Sequence, residues 1–270
     1  MNNNKKTPSI RDAFNQYFEV VPAHSRELLE IAHRIRYEVF SKELGYFDKE
    51  QFPDRYEVDE NDSISQQCLI KVKSRSLYAG CVRLVPGIRD GQRNRLPFES
   101  YYGDKPFSSE FVDFCDLDPS SYGELSRAAV IPHFRRRRSD HDGASAINTK
   151  VKPVQQQERR SYPLIGFGLY LASAVMGLNN GYERVFCMME PRLARRLRIY
   201  GINFTQIAPV VEKQDKLAAY KRAAFQITHD ELIEGVNPDV SALIKDIRNS
   251  FELQLYGAIQ SPLMKELVEN

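Results

Sequence analysis

Tryptophan is missing from the 270 residues, and net charge is nearly so: 38 lysines and arginines against 36 aspartates and glutamates leave +2. No global field recommends nucleic acid as a partner, so any electrostatic message must be local. Cysteine is scarce. Cys68, Cys81, Cys115 and Cys187 form no CxxC pair and sit mostly in apolar runs, which suits buried reduced thiols and a cytoplasmic setting better than bridges or a metal. The longest apolar run, Leu164 to Leu178, falls short of the roughly 20 residues of a membrane span and carries Gly166, Gly168, Ala172 and Ser173. It reads as a buried helix. The start, Met-Asn-Asn-Asn-Lys-Lys-Thr-Pro, has no apolar core of a signal peptide, so export by that route is not expected. No internal repeat is present.

The pattern along the rest predicts a layered α/β core. Residues 1–16 read as a polar arm and Tyr17–Val21 as a short strand ending at Pro22. Ser25 offers an N-cap to a helix whose Leu28, Ala32, Ile35 and Val39 share one face through Phe40. Residues 45–65 are acidic and aromatic without periodicity, a long ordered loop of the kind that carries function. Gln67–Lys73 and Leu77–Val85 make an antiparallel pair, and Glu124–Ile131 is a strand. Residues 135–160 form an Arg-rich polar insertion expected to be mobile. Beyond it come a helix over Tyr162–Asn180, a strand over Arg184–Met189, a helix over Pro191–Tyr200, strands over Asn203–Ala208 and Tyr220–Thr228, and an amphipathic helix over Val240–Leu255. The division is therefore an arm to residue 16, an α/β domain over 17–230, and a helical extension over 231–270.

Several charged groups stand where charge is costly. Glu57, Asp59 and Asp62 lie within six residues and can hold a cationic amine or simply form a solvated face. Arg36 and Arg83 fall near otherwise apolar surface and need partners, for which those carboxylates are the candidates. In Glu124-Leu-Ser-Arg127, strand alternation puts Glu124 and Ser126 on one side and Leu125 and Arg127 on the other. The arginines 135–138, with Arg159, Arg160, Arg192, Arg195, Arg196 and Arg198, form a basic rim suited to solvent, to cofactor phosphates or to an acidic carrier protein. Asp140-His141-Asp142 lacks further ligands at metal-site spacing, and neither Cys81 nor Cys187 has an assigned histidine.

Taken in order, Arg36-Tyr-Glu-Val-Phe40, Tyr46, Glu57-Val-Asp59-Glu-Asn-Asp62, Gly80-Cys-Val-Arg83-Leu84 and Glu124-Leu-Ser-Arg127 resemble the signature of the acyl-homoserine-lactone synthases. N-acyl amino acid synthases share it, as do the acyltransferases associated with exosortase systems, which Val21-Pro-Ala, Phe52-Pro-Asp54 and Phe134-Arg-Arg-Arg137 resemble most. The resemblance covers roughly residues 14–225. It implies a GNAT-like mixed, mostly antiparallel sheet flanked by helices, with two parallel strands, here 123–131 and 184–189, splayed into a V-shaped slot for the donor's pantetheine arm.

By that resemblance, Arg36, Phe40, Tyr46, Asp59, Asp62, Arg83, Glu124 and Arg127 bind the acceptor or organise the site. Glu57 matches the acidic position of a general base. The backbone at Ala129 and Val130 serves the oxyanion, while Ile131, Arg135, Arg136 and Arg137 serve the donor. The implied activity is N-acyl transfer of a long-chain fatty acyl group to the amine of an amino acid or similar small molecule. The donor is an acyl-phosphopantetheine thioester on an acyl carrier protein, the partner the basic rim favours, or on coenzyme A. No tightly bound cofactor or metal is implied, and peripheral membrane contact through a lipid product is compatible. Two alternatives remain at this level. Lactone synthesis from S-adenosylmethionine is opposed by Tyr46, where many lactone synthases have tryptophan. A non-catalytic thioester sensor is suggested by Leu197, which stands four residues before Gly201, where many GNAT enzymes carry an acidifying tyrosine.

Overall fold

The computed structural model describes residues 8–102, 116–135, 156–215 and 218–259. Three elements open the chain: helix α1 (Ile10–Tyr17), strand β1 (Phe18–Pro22) and helix α2 (Arg26–Arg36). After α2 the backbone widens into a π-helical turn, Tyr37–Glu43, in which Leu44 N–H donates to Val39 C=O. Strands β2 (Gln66–Val72) and β3 (Leu77–Pro86) follow, then the two-residue strands β4 (Ile88–Arg89) and β5 (Gln92–Arg93), helix α3 (Pro97–Tyr102) and strand β6 (Tyr122–Val130). The second half comprises α4 (Gln156–Ser161), α5 (Pro163–Asn179), β7 (Arg184–Met189), α6 (Pro191–Arg198), β8 (Thr205–Gln206), β9 (Val211–Asp215), β10 (Ala218–Thr228), α7 (His229–Glu234) and α8 (Pro238–Ile259).

The main sheet runs β1-β2-β3-β6-β7-β10-β8, with β9 paired to β10; every pairing is antiparallel except β6 with β7. This is the mixed, mostly antiparallel sheet expected. One face is covered by α5, which is apolar all round and so must be buried. Glycine lets it approach closely: a Cβ at Gly168 would meet the Phe14 ring at 2.3 Å, and one at Gly177 would meet Val185 at 2.9 Å. No helix among the described residues is long and apolar enough to cross a membrane. The other face carries α2 over Leu69, Cys81 and Ala129, and a cluster of Val85, Phe98, Tyr122 and Phe186.

Helices α1 and α8 are built into the core. Residues 10–16 of the expected arm are helical, and Phe14 is buried on α5. Ser9 caps α1 through Asp12 N–H, the polar signal that a composition-level reading passes over. From α8, Asp239 accepts the Ile10 N–H at 2.7 Å, Asp246 takes the Arg11 guanidinium in a fork at 2.6 and 2.9 Å, and Leu243, Ile244, Ile247 and Phe251 are buried. Between residues 135 and 160, α4 begins at Gln156, while 136–155 lie outside the described residues.

Candidate active site

The one parallel pairing among the described residues is short. β6 and β7 are in register from Tyr122 with Arg184 to Leu125 with Cys187, and the ladder then stops although both strands continue. Above that point β6 stays with β3, pairing Ala129 with Cys81 and Val130 with Gly80, and β7 stays with β10, pairing Met189 with Ala223. The two strands therefore diverge into the expected slot.

A β-bulge accounts for the divergence. Ser126 opposes Arg83 and Ala129 opposes Cys81, so two residues of β6 face a single residue of β3. A bulge bends the strand that bears it and strengthens its twist. Arg127, inside the bulge, has φ of 54°, a left-handed conformation uncommon for a residue with a Cβ. The bulge also corrects the expected alternation. Arg127 turns to the side of Ser126 and the carboxylate loop instead of sharing the side of Leu125.

That loop brings the charged residues of the sequence together. Arg36, completely buried, donates through Nε to Glu57 and in a fork to Asp62 at 2.5 and 2.9 Å. Arg83, also completely buried, forks onto Asp59 at 2.5 and 3.0 Å, lies 3.0 Å from Asp62, and donates through Nε to Ser126 Oγ at 3.1 Å. Arg127 reaches Glu57 at 3.0 and 3.2 Å and Asp59 at 2.8 Å. Asp62 accepts further bonds from the Asp59 N–H and from Gln67. Three guanidiniums and three carboxylates thus cancel in a closed network, the arrangement in which buried charge is tolerated.

Burial alone would raise the Asp62 and Asp59 carboxyls. For Asp62, hydrogen bonds and charge from Arg36, with Arg83, outweigh it and hold the group well below the usual carboxylate range. For Asp59, Arg83 and then Arg127 do the same. Burial lowers His33, helped by the neighbouring Arg36. Glu124 stands apart: burial pushes its carboxyl up to about 8, opposed by the Phe98 N–H that donates to it at 2.8 Å and by the charges of Arg83 and Arg127.

The surroundings redistribute the expected roles. Glu57 is 1% exposed and engaged by two guanidiniums, so it holds Arg127 in place and is not open for direct proton abstraction. Asp59, with 22% of its side chain exposed, is the accessible carboxylate of the network. On the backbone, Ile131 N–H donates to Ala79 C=O at 2.9 Å, and the Ala129 carbonyl lies against Gly80. By strand alternation both residues turn toward β3, which leaves Val130 turned toward the slot. Neither Ala129 nor Ile131 thus offers its amide there. Arg135 is tied at the lip, bonded to Glu43 and donating to the Val130 carbonyl at 2.7 Å. Arg136, Arg137 and Asp140-His141-Asp142 lie outside the described residues. Cys68, Cys81 and Cys187 are buried and free, with thiols pushed up by that burial, and Cys115 is outside the described residues.

An aromatic cover was not legible in advance beyond Phe40 and Tyr46. The π-helical turn delivers Phe40, whose ring stacks on Tyr46 at 6.3 Å and meets Phe47 edge-on at 6.4 Å. The Arg127 guanidinium lies over Phe47 at 4.9 Å and near Phe40 at 6.0 Å. π-Helical turns cluster at functional sites, and here the extra residue re-aims the ring. Tyr46 in turn lies under the guanidinium of Arg222 at 5.0 Å, a residue of β10 that no sequence signal singled out. An apolar cavity of about 20 Å³ lies beneath the slot, bordered by Leu125, Tyr170, Ser173, Val185, Phe204 and Ile227.

Residues 35–141 match the family model of the acetyltransferase (GNAT) domain. The chain has the GNAT fold. The matched segment spans the carboxylate loop, β3 and β6, and it makes acyl transfer the activity class of this GNAT-fold protein. Among solved structures, TofI in a ternary complex with an inhibitor and MTA superposes with a TM-score of 0.52 at 14% identity, covering 84% of this chain and 96% of that one. The CoA-dependent acyl-homoserine lactone synthase MesI gives 0.50 at 19%, covering 86% and 95%. FeeM, an N-acyl amino acid synthase from uncultured soil microbes, gives 0.48 at 11%, covering 83% and 97%. At such identities the likeness is one of fold. No curated protein matches the sequence.

Proposed function

We propose that this chain is an N-acyltransferase that moves a long-chain fatty acyl group from an acyl carrier protein or coenzyme A thioester to the amine of an amino acid or similar small molecule. The observation that carries the reading is the splay above Leu125 and Cys187, which sets a backbone amide at its edge beside a network of ionised carboxylates. In this account the pantetheine arm enters the slot and Val130 N–H receives the charge that develops on the thioester oxygen. Asp59 meets the acceptor's ammonium, while Arg36, Arg83, Glu57 and Asp62 fix Asp59 and Arg127. An α-amine with pKa about 8 must lose a proton before it attacks. Carboxylates held ionised by arginine are weak bases, so the proton leaves through water and Asp59 orients the neutral amine.

The arginines of α6 support a carrier protein as donor. Arg195, Arg196 and Arg198 are exposed, and among the described residues none is paired with a carboxylate. Such a basic surface suits an acidic partner and raises its encounter rate. Mass spectrometry of reactions containing mixed acyl carriers, acyl-CoAs and amines tests the reading. A new amide supports it; no amide with any donor sinks it. Methylthioadenosine released from S-adenosylmethionine would instead indicate lactone synthesis.

A further inference from the structure

Arg36, Arg83 and Arg127 are each paired with two carboxylates, and their cluster is neutral. Arg222 is different. It lies half-buried on β10, paired across the backbone with Val211, and no carboxylate among the described residues pairs with it. It alternates in phase with Ala224, so it belongs to the sheet face that carries the Phe186 cluster and, beyond β7 and the slot, the carboxylate network. On that face its guanidinium lies over the ring of Tyr46, which reaches it from the aromatic cover.

The cover therefore straddles the slot. On the β6 side Phe40 and Phe47 pack on Arg127, and on the β10 side Tyr46 packs on Arg222. A guanidinium lying over a ring gives its face to the π-system and keeps its in-plane N–H fork for a carboxylate. Asp59, partly exposed and ionised, is bonded to Arg127 on one side of the slot, and an unpaired cation stands on the other. A ligand matching both carries an ammonium and a carboxylate.

We propose that Arg222, backed by Tyr46, is the carboxylate-recognition residue of the acceptor site, which makes the acceptor an α-amino-acid zwitterion and not a simple amine. That this ligand is the acyl acceptor rests on the N-acyl transfer reading; the recognition itself does not. Arg222 is thus a specificity-determining residue, acting on the substrate's charge and not on the reacting atoms.

Calorimetric titration of the full chain with glycine, leucine and phenylalanine, each beside its carboxamide, tests this without a donor. The wild type is expected to bind at least one acid about tenfold or more tighter than its amide, the worth of a charge-assisted hydrogen-bonded pair. Arg222→Gln should bring that ratio close to one, and Arg222→Lys, which keeps the charge without the fork, should retain part of it. Thermal unfolding of both variants checks that they are folded. Equal affinities in the wild type, no binding of any acid, or a ratio untouched by Arg222→Gln would each overturn the proposal. A parallel assay with acyl thioester reads amide formation. Acid preference without amide would sink the transfer reading while upholding recognition by Arg222, and amide without acid preference would do the reverse.

Discussion

Replacing Arg36 by methionine tests whether the buried network is one electrostatic unit. Methionine keeps an unbranched side chain of similar reach, so what is removed is the guanidinium and its bonds to Glu57 and Asp62. Removing one partner of a buried ion pair costs about 3–5 kcal/mol because the other charge is left uncompensated. Asp62 would still have Arg83 at 3.0 Å and the Asp59 N–H at 2.7 Å, and Glu57 would keep Arg127, which places the loss near the lower end, ~3 kcal/mol. For a chain of this size that lowers Tm by roughly 6–12 °C. The decisive comparison is the double variant with Asp62→Asn, which restores neutrality and should recover part of the loss in thermal or urea unfolding. A loss under about 1 kcal/mol, or a double variant whose losses simply add, would refute the idea of a closed, charge-balanced unit. Acid gives an independent reading. The folded carboxyls of Asp59 and Asp62 are depressed below the usual value of about 3.9, so their stabilisation is full above that pH and is lost as pH falls below it. Asp62→Asn should flatten that acid limb.

Three further outcomes follow from single positions. The folded carboxyl of Glu124 is raised to about 8 from an unfolded value near 4.3, so its contribution is full below about pH 4 and is lost as pH rises through 8. Glu124→Gln should therefore gain on the wild type by roughly 2–4 kcal/mol in urea melts between pH 5 and pH 8.5; parallel curves would contradict this. Gly80→Ala would set a Cβ 2.6 Å from the Ala129 carbonyl and 3.2 Å from Leu169, prising β3 from β6 at the slot, and should cost about 1–3 kcal/mol in thermal unfolding. Glu57→Gln keeps the shape but weakens the hold on Arg36 and Arg127. It should lower stability and acyl transfer together with no displaced pH optimum, whereas a base would show a loss of the proton-dependent limb.

The layered sheet was legible because strands and helices keep their hydrophobic periods: Arg184–Met189 was readable to the residue, and the stripe Leu28, Ala32, Ile35 and Val39 locates α2. The site's charged residues were legible as costly charges without visible partners, and the fold supplies those partners from one another. What periodicity misses is its own interruption. The bulge at Arg127 adds one residue and turns a side chain over, and the π-helical turn after Arg36 does the same for Phe40; neither leaves a glycine or proline as a mark. Helix α1 was hidden because its polar face dominates a short segment, and its apolar Phe14 packs beside Phe18 and against Gly168, far along the chain. Arg222 was invisible for a related reason, since a lone arginine in a strand means something only once the strand's neighbour across the slot is known.

Release of free thiol, followed continuously from acyl carrier protein and from acyl-CoA with and without pooled amino acids, tests acyl transfer at the splayed slot most directly. Release that depends on the amine and saturates with it, from at least one donor, is the expected result. Release at the same rate without amine, or none from either donor, would contradict it.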